Sequence, residues 1–501
     1  MSEGSGRAEP LGGVVLRGAA VMVALRFVLR AIGLVSIFFT ARLLTPADFG
    51  VVGTSAIVLG LFAILQTIGI GEALIRLRRL DPEHLHTAWT MNLIAATVVS
   101  VVIFLVAPFA ARVLEEPALT ELLRWQAFTP TIVALLSPGT MTFMRDFAFR
   151  KEFMLKVFQK IVVVACVVAG AFLTRSYWGL VWGSMTGTVL YVAMSYVLYP
   201  YRPRLTLSRW RDFVGFSFWT MMLSCATYVA TVADEVVVRR MVSTQLFGLY
   251  HTSRDLSRTM VAEMVAPASS ALLPGLARLQ DEPARFARAA QQAVGAGAIV
   301  AVATGLGVSA TAEEIVGLLL GPKWAGAAPI LALTAIGVAG QTLAGLHRSI
   351  LAALSKQHWS AALWALRGAV LAVTCVAAGA MGGMMAVAAT YAIVSVLLTL
   401  LDYTLIFTRL GRPAAPIAIF ARPVLAGLAM VGVLALFPAG LPLLLAAPAK
   451  VALGAATYGL VLWGAWFAMG RPDGAETALL HRLPPRIGGV FLPRRSAAAK
   501  A

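Results

Sequence analysis

Arg42-Leu43-Leu44-Thr45-Pro46-Ala47-Asp48-Phe49-Gly50 and Arg240-Met241-Val242-Ser243-Thr244-Gln245-Leu246-Phe247-Gly248 share one pattern. A basic residue, two apolar residues and a Phe-Gly recur at the same offsets, about 200 residues apart. A second echo, Phe143-Met144-Arg145 against Leu346-His347-Arg348, carries nearly the same shift. Each copy of the first pattern lies where one long apolar run ends and the next begins. An even number of such runs separates the copies, so the repeat is parallel, and a parallel repeat relates two halves by an axis along the membrane normal. The expected fold is all-α and polytopic: two six-helix bundles facing each other across a central cleft.

Composition supports a lipid-embedded chain. Of 501 residues, 59% are hydrophobic and only 13% charged, and the mean hydropathy is +0.83; a soluble protein carries about 25% charged residues. A soluble enzyme, a disordered chain and a secreted disulfide scaffold are excluded. The three cysteines, Cys166, Cys225 and Cys375, sit apart in apolar runs and build neither a disulfide framework nor a metal site. The six histidines are scattered, and no cofactor is implied.

A membrane span needs about 20 mainly apolar residues. Runs of that kind cover 14–43, 49–76, 87–111, 119–144, 155–174 and 177–200, then 213–241, 247–276, 286–309, 324–354, 358–380 and 382–407, then 416–438 and 442–469. The reading is thus about fourteen transmembrane helices. It divides the chain into an N-terminal lobe (1–200), a C-terminal lobe (201–410), two extra helices (411–470) and a basic tail (471–501). The first run is too long for a cleaved signal and reads as a retained span.

The net charge of +18 is a matter of topology before it is a matter of partners. Arg76, Arg78, Arg79, Arg145, Arg150, Lys151, Lys156, Arg202, Arg204, Arg209 and Arg211 fall on one set of loops, as do Arg278, Arg285, Arg288, Lys356, Arg409 and Arg412. The alternate loops carry about a third as many. The positive-inside rule places the rich side, and both termini, in the cytoplasm. Nucleic acid is not an expected partner.

The turn sequences resemble those of Wzx-type polysaccharide flippases, within the multidrug/oligosaccharidyl-lipid/polysaccharide exporter superfamily. Ala41 to Gly50 is similar to that family's first outer turn, and Gly69-Ile70-Gly71-Glu72-Ala73-Leu74-Ile75-Arg76 to the end of its second helix. Tyr177-Trp178-Gly179-Leu180-Val181-Trp182-Gly183 resembles the start of the sixth. Leu273-Pro274-Gly275-Leu276-Ala277-Arg278-Leu279-Gln280-Asp281 and Leu320-Gly321-Pro322-Lys323-Trp324 resemble the segments after the eighth and before the tenth. Together they run in order from about residue 12 to residue 410. Within the family the nearest flavour is that of colanic-acid and teichuronic-acid exporters.

The resemblance implies an inner-membrane flippase of alternating access. Its substrate would be an undecaprenyl-pyrophosphate-linked oligosaccharide, moved from the cytoplasmic to the periplasmic leaflet for exopolysaccharide or lipopolysaccharide biosynthesis. Implied partners are that lipid-linked substrate, membrane lipids, and a polysaccharide polymerase with its glycosyltransferases. It implies no enzyme activity, and the sequence has no Walker-type phosphate loop. The alternative class is a drug or cation antiporter of the same superfamily. A membrane glycosyltransferase, polymerase or ligase is less favoured, because the outer loops are short.

A lipid pyrophosphate needs cations inside the membrane to replace its hydration. Arginine suits the task because its planar fork donates in pairs. Arg26 and Arg30 lie four apart on the first span, and Arg254 and Arg258 have the same spacing on the eighth. All four are expected in the cleft; for Arg26 and Arg254 the competing reading is snorkelling toward the span ends. Asp255 is placed to pair with Arg258, and Asp234 with Arg254 at matching depth. Glu235 and Glu263 have no evident partner and are the candidates for titration in a proton-coupled cycle. Arg367 and Asp402, at matching depth, read as structural.

Overall fold

The computed structural model describes residues 11–66, 81–142, 149–198, 201–212, 218–438 and 440–470. The Gly69 to Arg76 motif, the Phe143-Met144-Arg145 echo and the basic tail lie outside them. The described chain is all helix. Helices α1 (Leu11–Leu43), α2 (Pro46–Gln66), α3 (Pro82–Val113), α4 (Ala118–Gln126), α5 (Phe128–Ala134), α6 (Phe149–Thr174) and α7 (Tyr177–Leu198) come first. They are followed by α8 (Phe218–Met241), α9 (Thr244–Ser257), α10 (Glu263–Ala277), α11 (Pro283–Ala310) and α12 (Ala312–Leu319). The series ends with α13 (Ala327–Ala353), α14 (Gln357–Arg409), α15 (Ala415–Ala435) and α16 (Leu443–Ala468). Among the described residues, nine helices are long and apolar enough to cross a membrane.

One span expected to be continuous is interrupted. The run 119–144 divides into α4, α5 and a 3-10 turn at Pro138–Thr142, with Pro130 and Pro138 removing backbone donors. The eighth run, by contrast, stays helical from Thr244 to Ala277, with a π-helical turn at Arg258–Ala262 between α9 and α10. The eleventh and twelfth runs are two helical arms of α14 that meet at the expected Gly-Gly: Gly382 and Gly383 leave helical geometry, with φ of −144° and 66°.

The chain forms two compact units. One comprises residues 1–228, 242–251 and 319–323; the other comprises 229–241, 252–318 and 324–501. In the first, α3 packs against α2 and α4 through Phe62, Val99, Ile103, Leu119 and Leu123. Along α7, Gly179, Gly183 and Gly187 lie against α6; a Cβ on any of them would come within 2.5–2.6 Å of α6 backbone. Only glycine allows that approach, the small-residue packing typical of membrane helices. In the second unit α13 is central, with 67% of its apolar stretch buried. It joins α10, α11, α14 and α15 in one core through Val265, Val294, Val338, Leu346 and Tyr403.

The two stretches quoted first meet each other inside the first unit. Thr45 and Asp48 start α2 with a capping box: Thr45 N–H donates to Asp48 Oδ2 at 2.9 Å, and Asp48 N–H to Thr45 Oγ1 at 3.3 Å. Pro46 fills the first helical position, where a missing N–H costs nothing. The other Asp48 oxygen accepts from Tyr177 N–H at 2.9 Å, tying α2 to α7. At the second copy, Thr244 donates to Glu116 at 2.5 Å. The helix starts then cross reciprocally. A Cβ on Gly50 would lie 2.0 Å from the Thr244 carbonyl oxygen, and one on Gly248 would lie 1.7 Å from that of Pro46. Lys323 donates to the carbonyls of Arg42 and Leu44 beside this crossing. Burial pushes the Lys323 ammonium below its ordinary pKa; Asp48 opposes that fall and Arg175 adds to it.

Candidate functional site

The second unit places a cluster of charged side chains where α8 meets α9 and its π turn. Arg254 Nε donates to Asp234 Oδ2 at 2.9 Å, and both side chains are 0% exposed. The same guanidinium lies 4.0 Å over the ring of Tyr391 and within 3.4 Å of Gln341 Oε1 and of the Thr231 carbonyl. Gln341 in turn donates to the Ala230 carbonyl at 3.0 Å and accepts from the Tyr391 hydroxyl at 3.1 Å. An arginine enclosed on every side cannot receive a ligand. The expectation that Arg254 lines a cleft is therefore corrected: its charge is matched inside the protein, and it holds α8, α9, α13 and α14 together.

Arg258 is different. It donates to the Thr231 carbonyl at 2.7 Å and pairs with Glu235 at 3.0 Å, yet 31% of its side chain stays exposed, against 2% for Glu235. Two expectations are corrected here. Glu235 has a partner, and Arg258 takes Glu235 rather than Asp255. Arg258 opens the π turn, and its guanidinium reaches α8 to take both the Thr231 carbonyl and Glu235. Asp255 is left exposed on α9, and Glu263 is exposed at the start of α10.

Farther along α14, Arg367 donates to Asp402 Oδ2 at 2.7 Å, to Thr399 Oγ1 at 3.1 Å and to the Ser395 carbonyl at 3.2 Å. This buried pair ties the two arms of α14 across the Gly382–Gly383 bend. His347 is buried 3.9 Å from the same carboxylate.

The first unit holds its intramembrane cations differently. Arg26 and Arg30 are both partly buried on α1, which packs along α6. The sequence reading missed a lysine that reaches α1 at Gly33. Lys160 lies within the apolar stretch of α6, and its ammonium would sit 3.8 Å from a Cβ on Gly33. One turn earlier, Lys156 pairs with Glu152 at 2.6 Å. The available signal was the Lys-x-x-x-Lys spacing, which repeats that of Arg26 and Arg30. Among the described residues no group of three or more His, Cys, Asp or Glu side chains is placed to hold a metal.

These features define a polytopic helical membrane protein with charge buried between its helices. Its fold is that of flippases and exporters. A lipid II flippase MurJ in an inward closed conformation matches with a TM-score of 0.71 at 14% identity, covering 90% of this chain and 100% of that one. An inward-facing multidrug resistance MATE family transporter of the MOP superfamily matches at 0.61 and 14% identity, covering 78% and 98%. Residues 39–329 match the polysaccharide biosynthesis protein family model. The chain belongs to that family, and with it to the Wzx-type flippases that its turns resemble. Among curated relatives, the succinoglycan biosynthesis transport protein ExoT of Rhizobium meliloti (strain 1021) is 24% identical over 410 residues, 79% of this chain and 81% of the relative. The lipopolysaccharide biosynthesis protein WzxC of Escherichia coli (strain K12) is 21% identical over 396 residues, 77% and 80% respectively.

Proposed function

We propose that this protein is a flippase that carries undecaprenyl-pyrophosphate-linked oligosaccharide units from the cytoplasmic to the periplasmic leaflet by alternating access, for surface polysaccharide synthesis. The observation that carries this reading is Arg258. It is an intramembrane arginine paired with one buried carboxylate and still open on part of its surface. A phosphate offers the same oxygen chemistry as Glu235 and a second charge, so it can take over the guanidinium on arrival. Arg254 and Asp234 then act as the fixed frame that keeps α9 in place while the Arg258 pairing changes. Glu235, released when phosphate binds, is the candidate for coupling this exchange to a proton gradient. In the N-terminal half, Arg26 and Arg30 supply the matching cations.

The lobes 1–200 and 201–410 serve as the two arms of the carrier, with 411–470 as an appended helical pair and both termini in the cytoplasm. A drug or cation antiporter fits less well, because such cargo needs unmatched intramembrane acids. Here Asp234, Glu235 and Asp402 are each engaged by an arginine.

The test is genetic and chemical. Deleting the gene should abolish a surface polysaccharide and accumulate its lipid-linked unit on the cytoplasmic side. The wild-type gene should restore export, and Arg258→Ala should not. Full export by an Arg258→Ala protein present at wild-type level would remove this residue from the mechanism.

A further inference from the structure

The stretch Tyr201-Arg202-Pro203-Arg204-Leu205-Thr206-Leu207-Ser208-Arg209-Trp210-Arg211 holds four arginines, two leucines, a tryptophan and no acid. It belongs to the first unit and lies as a strap against the first turns of α3. Its main chain is what holds it there. Arg204 N–H donates to His86 Nδ1 at 3.0 Å, Thr206 N–H to Thr90 Oγ1 at 3.1 Å and Arg209 N–H to Thr87 Oγ1 at 3.4 Å. The Tyr201 ring packs on His86, with centroids 5.3 Å apart. The 3-10 turn Trp210–Asp212 closes the strap on the same helix. With the backbone bonded inward, the side chains turn out. All four arginines are exposed, and Leu205, Leu207 and Trp210 are 75%, 46% and 45% exposed. Among the described residues the acid that pairs with this strap is Glu83, 3.5 Å from Arg209, with both side chains open to the surface.

The helical rise sets the level of the strap. The 32 residues of α3 reach about 48 Å, against about 30 Å of hydrocarbon. With the helix centred in the bilayer, about 9 Å at either end stands among headgroups. His86 and Thr90 lie about 6 and 12 Å from the start of α3, so the strap is bonded across the boundary between headgroups and acyl chains. At that boundary leucine and tryptophan meet acyl chains while arginine meets phosphate. We propose that residues 201–211 form a docking surface for anionic phospholipid. Arg202, Arg204, Arg209 and Arg211 take headgroup phosphates, and Leu205, Leu207 and Trp210 enter the acyl boundary. Charge complementarity selects this occupant: four guanidinium groups without an acid in eleven residues favour a net negative headgroup over a zwitterionic one, each arginine adding its own increment. The backbone bonds to α3 order the strap in advance, so little freedom is lost when lipid binds.

The test uses the full chain purified in detergent and mixed with equal amounts of phosphatidylglycerol and phosphatidylcholine, with retained lipid counted by native mass spectrometry. Wild type should keep phosphatidylglycerol in preference, and added salt should erode the preference. Arg202→Gln and Arg204→Gln should each lower it about fivefold, and the double variant by the product of the two. These side chains are exposed, so the variants should melt as wild type does. Leu205→Ser should weaken retention of both lipids and leave their ratio in place. His86→Ala, with every arginine present, should lower the preference by loosening the strap, and His86→Asn, which keeps an acceptor near the Nδ1 position, should restore it. Arg278→Gln with Arg288→Gln removes two exposed arginines outside the strap and should leave the ratio unchanged. Wild-type preference in the Arg202→Gln, Arg204→Gln protein would overturn the proposal, as would an equal loss in the Arg278→Gln, Arg288→Gln protein. Equal retention of the two lipids by the wild type would overturn it as well, and would leave the exposed leucines to a protein partner.

Discussion

The two units bury their intramembrane arginines to different extents: Arg254 and Arg367 are fully enclosed, whereas Arg26 and Arg30 are only partly buried. Where α8 meets α9, Arg254 and Arg258 each meet a carboxylate, and Arg254 is closed in completely by Asp234, Gln341 and Tyr391. Along α1 and α6, Arg26 and Arg30 are only partly buried, and Lys156 pairs with Glu152 while 44% of its side chain stays exposed. A matched pair fixes helices and resists change, because breaking it strands a charge in a low-dielectric interior. A cation left partly open can still change partner, and Arg258 stands between the two cases, paired yet open.

That contrast can be attacked at its strongest point first. Asp234→Ala leaves Arg254 buried and alone, and should cost about 3–5 kcal/mol, read as a large fall in Tm or in membrane abundance. A double variant, Asp234→Leu with Arg254→Met, should recover most of that loss; if it stays as unstable as the single change, the pair does more than hold helices. Next comes Arg258→Ala. Export should fall by at least about tenfold, as expected for loss of a charge-assisted phosphate contact, with the melting temperature nearly unchanged. A collapse in stability would move Arg258 to the scaffold side. Glu235→Gln should act in the same place more gently: substrate binds as well or better, and any dependence of transport on a proton gradient is blunted, measured in liposomes with and without the gradient. The smallest effect belongs to Glu152→Gln, where an exposed lysine partner limits the loss to about 0.5 kcal/mol by thermal unfolding.

Much of this was legible in the sequence. Apolar runs of span length located most of the long helices, and helical rise alone set Asp234 level with Arg254. Side-chain direction was harder to read. Helices apolar all round give no stripe to say which face is inside, so an enclosed Arg254 and an open Arg258 look alike in the text. The packing of α8 against α9 has no sequence marker, yet it is what brings Glu235 to Arg258 while Asp255 faces outward. Lys160 was hidden by bookkeeping of a simple kind: Lys156 reads as the basic end of a span, and the eye does not look one turn deeper. The fourth run failed for a local reason, since its prolines break a segment whose composition is otherwise that of a span.

The reciprocal crossing of Gly50 and Gly248 has a mechanical consequence. Each helix start seats its glycine beneath a carbonyl of the other, Gly50 under Thr244 and Gly248 under Pro46, so the clasp has two matching halves. Any motion that parts α2 from α9 at this end must undo both together, along with the Lys323 bonds beside them. Such a junction favours two distinct positions, shut and sprung, over a continuum of partial openings.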